Sequence, residues 1–261
     1  RSGSSLLHSL MDFAYSFDCV AKHEARFFEG PASRTTNAVI LSKYPYDLPL
    51  LVRTKAMERV DELYVIAVLR DPRDVVISKY GSDVGEIFTS VEEIMFNHCS
   101  IQKFCGLKNF LIVRYENLIQ DPCGVQREIE TKFNWLKRIR NFSSWRAQEN
   151  ESNEKSKAMN GLETIKRNNH SKWKSVYKLP RGFYSNEFRE VVEDLGYEWD
   201  VNDLISQRPD ERYDAIDKTA LKKLLKFSFS NFKNELAARL YLFGFQRKKT
   251  KLFEMRKIAV D

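Results

Sequence analysis

The sequence predicts an α/β protein, a parallel sheet flanked by helices, with a helical C-terminal extension. Three short apolar runs carry this reading: Asn37–Leu41 (NAVIL), Leu63–Leu69 (LYVIAVL) and Phe110–Val113 (FLIV). Each is β-rich and nearly continuous rather than alternating, as strands buried on both faces should be. Helical stretches near residues 46–60, 72–80 and 89–104 lie between them, and strand–helix–strand alternation implies parallel strands with right-handed crossovers. The 261 residues are 43% hydrophobic and 13% aromatic, enough for a substantial core, which excludes a disordered or collagen-like chain.

Taken in order, the chain opens on Arg1, Ser2, Gly3, Ser4 and Ser5, followed by Leu6, Leu7, Leu10, Met11 and Ala14 at helical spacing. This reads as a small-residue loop capping a helix N-terminus. Between Asn141 and Asn169 the composition turns polar, with the run QENESNEKSK, and reads as a surface loop. A helix is expected from Ser185 to Leu195, ended by Gly196 in a C-capping position. Beyond Pro209, apolar residues such as Ile216, Ala220, Leu224 and Phe227 predict one or two amphipathic helices. These features divide the chain into a domain over 1–200 and an extension over 201–261.

Charge follows the same division. Residues 1–200 carry 29 Lys/Arg against 28 Asp/Glu, whereas residues 201–261 carry 14 against 8. The overall +7 therefore belongs to the extension, which includes the basic run Arg247 to Lys251. A body so nearly neutral offers no basic face for nucleic acid. The longest apolar run, Leu63–Leu69, is far short of a membrane span. Cys19, Cys99, Cys105 and Cys123 lack zinc-ligand spacing and read as buried free thiols, with one or two disulfides as the alternative. His8, His23, His98 and His170 are scattered, so no metal is expected. Asn141, Asn150 and Asn169 each open an Asn-x-Ser sequon and favour a secretory compartment.

Three segments carry candidate binding chemistry. The glycine of the first loop permits close backbone approach, and the helix start offers N–H groups and a favourable dipole. Arg1 adds a planar donor fork suited to phosphate or sulfate. No Walker A pattern can be written through this loop. In the second segment, Arg70 ends a strand, Asp71 follows, and Pro72 suits the first turn of a helix carrying Ser78. Strand carboxyl ends are where open parallel sheets bind ligands. The third segment, Val113 to Leu118 (VRYENL), again runs a strand into a polar cluster. There Tyr115 can meet a base and Glu116 can brace a loop. Alone, the first is more often an ordinary cap than an anion site, the second is as readily a structural ion pair, and the third reads also as an ordinary strand–helix junction.

In this order, the loop, R-D-P-R-D-V-x-x-S and Y-E-N-L together resemble the sulfotransferase family, whose donor is 3′-phosphoadenosine-5′-phosphosulfate (PAPS). A fourth segment, Ser171, Lys172 and Trp173 followed by Leu195, Gly196 and Tyr197, is similar to the endings of Golgi carbohydrate 6-O-sulfotransferases and tyrosylprotein sulfotransferases. The resemblance covers roughly residues 1–200 and implies the P-loop-like sheet of the sulfotransferase fold. It implies that Ser2, Gly3, Ser4, Ser5 and Leu6 hold the 5′-phosphosulfate, with Arg1 stabilising the leaving group. It likewise implies that Arg70 and Ser78, eight residues apart, hold the 3′-phosphate, and that Tyr115 lies near the adenine. Asn117 stands where the family has Asp. Ser171, Lys172 and Trp173 would close over the nucleotide.

The acceptor hydroxyl needs a base. No His follows Lys43, where cytosolic members carry theirs, so Glu24 is the expected base, His23 the fallback, and Lys43 an acceptor contact. The resemblance further implies a glycan acceptor, a Golgi-lumenal location, and a first strand and membrane anchor upstream of Arg1. Tyrosine or small-molecule acceptors and a cytoplasmic location are the alternatives within the class. Outside it stand a nucleoside kinase, which would need the missing Walker lysine, and a non-catalytic module docking on anionic glycan or membrane.

Overall fold

The computed structural model describes residues 3–21, 24–28, 38–78, 89–146, 164–165, 171–175, 179, 182–199 and 238–239. Arg1, Ser2, His23, His170, most of the 141–169 loop and all but two residues of the 201–261 extension lie outside them. The chain forms two units: Arg1–Phe17 with Ile66–Tyr213, and Asp18–Val65 with Asp214–Asp261. The architecture is α/β, with short parallel strand pairs flanked by helices.

In the first unit, α1 spans Ser4–Ala14 and buries Leu6, Leu7, Leu10, Met11 and Ala14, the apolar face expected from their spacing. Strand β3 (Val65–Leu69) pairs with β4 (Phe110–Arg114). Only Ala67 and Leu69 of β3 are buried, so the continuous apolar run does not mean a strand covered on both faces. Helix α4 (Pro72–Val76) starts on proline, and the Asp71 carboxylate accepts from the Arg73 N–H as its cap. Helix α5 (Val91–Phe104) begins with a capping box in which Ser90 and Glu93 bond reciprocally. Strand β4 passes directly into α6 (Tyr115–Gln120), and α7 (Pro122–Lys132) follows from the Asp121 cap.

Helix α8 (Asn186–Asp194) is capped by the Ser185 hydroxyl. It ends through Gly196, whose φ of +77° lets the chain turn back so that Tyr197 N–H reaches the Val192 carbonyl. Trp173, from the 3-10 turn Lys172–Ser175, is buried with Val76, Val91, Leu179, Phe183, Phe188 and Val192 in one apolar cluster. That cluster fixes α4, α5 and α8 against the turn.

In the second unit, β1 (Cys19–Val20) and β2 (Ile40–Leu41) pair in parallel, Cys19 opposite Ile40 and Val20 opposite Leu41. The predicted strand at 37–41 thus finds its partner in a strand of two residues with no apolar run to announce it. The helix expected over 46–60 is two, α2 (Leu48–Thr54) and α3 (Ala56–Arg59), because Lys55 adopts a left-handed φ of +53°. All four cysteines are unpaired, but Cys99 and Cys105 are exposed and the others half-buried, which corrects the expectation of buried thiols. Among the described residues there is no group of His, Cys, Asp or Glu able to hold a metal, and no helix long and apolar enough to cross a membrane.

Candidate functional site

The site is built outward from Tyr115, the first residue of α6, which the end of β4 delivers into the interior of the first unit with 4% of its surface exposed. One edge of its ring lies against Gly3. A Cβ at Gly3 would collide with Tyr115 Cδ2 and lie 2.8 Å from Cε2, and the φ of +93° there independently favours glycine. The start of α1, with Ser4 and Ser5 half-exposed in its first turn, is thereby seated on the third motif. That turn has no acidic residue and no side-chain cap.

The Arg70 guanidinium lies over the Tyr115 ring, 4.6 Å from its centroid. Arg70 leaves β3 at its carboxyl end and reaches back to α4, where Nη2 donates to Asp74 Oδ2 at 3.2 Å. This pair is buried, with Asp74 wholly removed from solvent at its side chain. The other oxygen of Asp74 accepts the backbone N–H of Trp173 at 3.0 Å. One line of contacts therefore runs from Gly3 to Tyr115, Arg70, Asp74 and Trp173, joining all four sequence motifs within one unit.

A second line braces the first. Arg73 grips the Asp71 carboxylate through Nε and Nη2, donates to the Glu198 carbonyl, and lies 4.2 Å above the Trp173 ring. Glu116 accepts the Asp71 N–H at one oxygen and the Tyr197 hydroxyl at the other. Burial first, and the Glu116 carboxylate second, push the Tyr197 phenol far above its ordinary value, so it stays the donor. Arg114 completes the brace, bonding the Leu195 carbonyl at 2.6 Å and covering the Tyr197 ring.

The remaining predicted residues divide. Ser78 is half-buried and its hydroxyl donates to the Asp74 carbonyl at 2.8 Å, so its proton is directed onto its own helix. Leu6 packs in the core and leaves only main-chain groups to a ligand. Ser171 and Lys172 are exposed, and Ser171 takes a left-handed φ of +58°, a strained value for a residue with a side chain. Trp173 turns its indole into the apolar cluster, where Nε1 has no hydrogen-bond partner among the described residues. Arg70 and the start of α1, which has no side-chain cap, suit an anionic ligand.

In the second unit, Glu24 follows β1 and Lys43 follows β2. The strand register, extended by the bond from Ala25 N–H to the Lys43 carbonyl, sets the two side chains together, Lys43 Nζ to Glu24 Oε1 at 2.9 Å. Glu24 retains 31% side-chain exposure, so the carboxylate is paired yet open to an acceptor. Arg1, Ser2 and His23 lie outside the described residues.

Asp74 lies within R-D-P-R-D-V-x-x-S with no role apparent from the sequence, and its link to Trp173, 99 residues away, appears only in the fold. The available signal was its place four residues after Arg70, at helical spacing. Comparisons with family models, with curated proteins and with solved structures found no match to the chain.

Proposed function

We propose that the chain is a PAPS-dependent sulfotransferase that moves a sulfonate from the phosphosulfate donor to a hydroxyl acceptor, a glycan being the acceptor class. The observation that supports this reading is the continuous line from Gly3 through Tyr115, Arg70 and Asp74 to Trp173, because the motifs that resemble the family meet in space. Arg70 supplies the fixed cation for a phosphate monoester. Ser4, Ser5 and the N–H groups opening α1 take the 5′-phosphosulfate end, with Arg1 beside them. Ser78 joins by rotating its hydroxyl away from the Asp74 carbonyl. Tyr115 supports Arg70 and the loop with its ring while Lys172 and Ser171 remain at the surface for the nucleotide.

Sulfuryl transfer needs an in-line hydroxyl, a base to take its proton and cationic help for the leaving phosphate. Glu24 is the base in this reading, and Lys43 orients its carboxylate. The lumenal location belongs to the same proposal and rests on the resemblance and the sequons.

Calorimetry with 3′,5′-adenosine bisphosphate, the desulfated product, and with ATP plus Mg²⁺ tests the reading. Micromolar binding of the bisphosphate is expected. Preference for Mg-ATP, or binding of neither, would contradict it. For the base, Glu24→Gln should lower turnover by roughly 10²- to 10⁴-fold with bisphosphate affinity unchanged; a fully active variant removes Glu24 from that role.

A further inference from the structure

The two oxygens of Asp74 serve two different segments. Oδ2 holds Arg70 Nη2, and Oδ1 holds the backbone N–H that opens the buried Trp173. The main chain of Asp74 is fixed as well, its N–H donating to the Asp71 carbonyl and its own carbonyl accepting from Ser78. A buried carboxylate is costly unless charge and hydrogen-bonding capacity are both met. If the Lys172–Ser175 turn departs, Oδ1 loses its donor in a dry environment. If Arg70 swings away, the carboxylate loses its counter-charge. Each partner therefore stabilises the other through one side chain.

We infer that Asp74 is a positioning residue that couples Arg70 to the Lys172–Ser175 turn, so that holding a phosphate monoester at Arg70 and docking the turn are one linked event. This deepens the nucleotide reading above and rests on it. Linkage is reciprocal: a ligand that fixes Arg70 in its present orientation must tighten the turn, and an undocked turn must weaken the ligand. Ser171, which precedes the turn, adopts a left-handed φ of +58°.

A thermodynamic cycle separates this coupling from a merely structural role. 3′,5′-Adenosine bisphosphate is titrated into wild type, Asp74→Asn, Arg70→Lys and the double variant, each shown folded by circular dichroism. Asparagine keeps the size and an acceptor for the Trp173 N–H while removing the charge that orients the guanidinium. Asp74→Asn should weaken binding on the order of tenfold in wild type and by less than about threefold in Arg70→Lys, where no planar fork remains to be oriented. Equal losses in both backgrounds would overturn the coupling and leave the nucleotide site standing. No binding by wild type would overturn both. If Asp74→Asn does not fold, amide exchange in the wild type decides. Saturating bisphosphate should slow exchange across Lys172–Ser175, and unchanged exchange would refute the linkage.

Discussion

The two units each contain a buried arginine paired with an aspartate and stacked on a tyrosine. In the second unit Arg26 donates to Asp47 at 2.9 Å and lies 4.2 Å from the Tyr44 ring centroid. In the first, Arg70 donates to Asp74 at 3.2 Å and lies 4.6 Å from that of Tyr115. The chemistry is the same and the wiring is not. Asp47 gives its second oxygen to the N–H of Phe27, next to Arg26, and Arg26 also donates to the Tyr44 hydroxyl, so these bonds join residues 26–27 to residues 44–47. Asp74 and Tyr115 instead bind Trp173 and Gly3, bringing distant segments to one strand end. The Arg26–Asp47 pair ties the segment after β1 to the segment after β2, whereas the Arg70–Asp74 pair gathers partners from three other motifs at the end of β3.

The largest stability effect separates these roles. Arg26→Ala leaves Asp47 buried without its cation and should cost about 3 kcal/mol in denaturant unfolding, with bisphosphate affinity within about threefold of wild type. A matching loss of affinity would erase the distinction between the clusters. Gly3→Ala is next. It places a Cβ against Tyr115 at a left-handed φ, and about 2 kcal/mol of stability should be lost together with bisphosphate binding. Normal affinity in that variant would detach the loop from the site.

The smallest effect concerns the brace. Tyr197→Phe removes the hydroxyl bond to Glu116 and should cost about 1 kcal/mol at neutral pH. Because the native phenol titrates above the unfolded one, its contribution is present below pH ~10 and lost as the pH rises further. The difference between wild type and Tyr197→Phe should therefore shrink in alkaline unfolding curves. No difference at any pH would mean that Tyr197 acts by packing alone, and a constant difference would contradict the linkage to its ionisation. Tyr15, also raised by burial and then by Glu130, supplies a similar alkaline sensitivity in both proteins.

What could be read from the sequence was local. The apolar runs located β3 and β4 because five-residue strands have a strong local signal, and Pro72 and Ser185 marked helix starts by capping chemistry alone. Strand β1 escaped because two residues carry no periodicity. The break at Lys55 escaped because no glycine announces its left-handed turn. Helix α7 escaped because its buried face is small, made of Val125, Gln126 and Ile129. In the site, Arg70, Tyr115 and Trp173 were legible as residue types at motif spacing. Their connections through Asp74, and the bridge from Tyr197 to Glu116 across 81 residues, are tertiary facts that no local pattern encodes.

The central claim is that the four motifs form one adenosine bisphosphate site organised by Arg70. Its most direct test is a pair of calorimetric titrations with 3′,5′-adenosine bisphosphate, one into wild type and one into Arg70→Ala confirmed as folded. Micromolar binding by wild type and a loss of roughly 100-fold in the variant are predicted, the scale of a charge-assisted phosphate contact. Equal affinity in the two proteins, or no binding by wild type, would contradict the account.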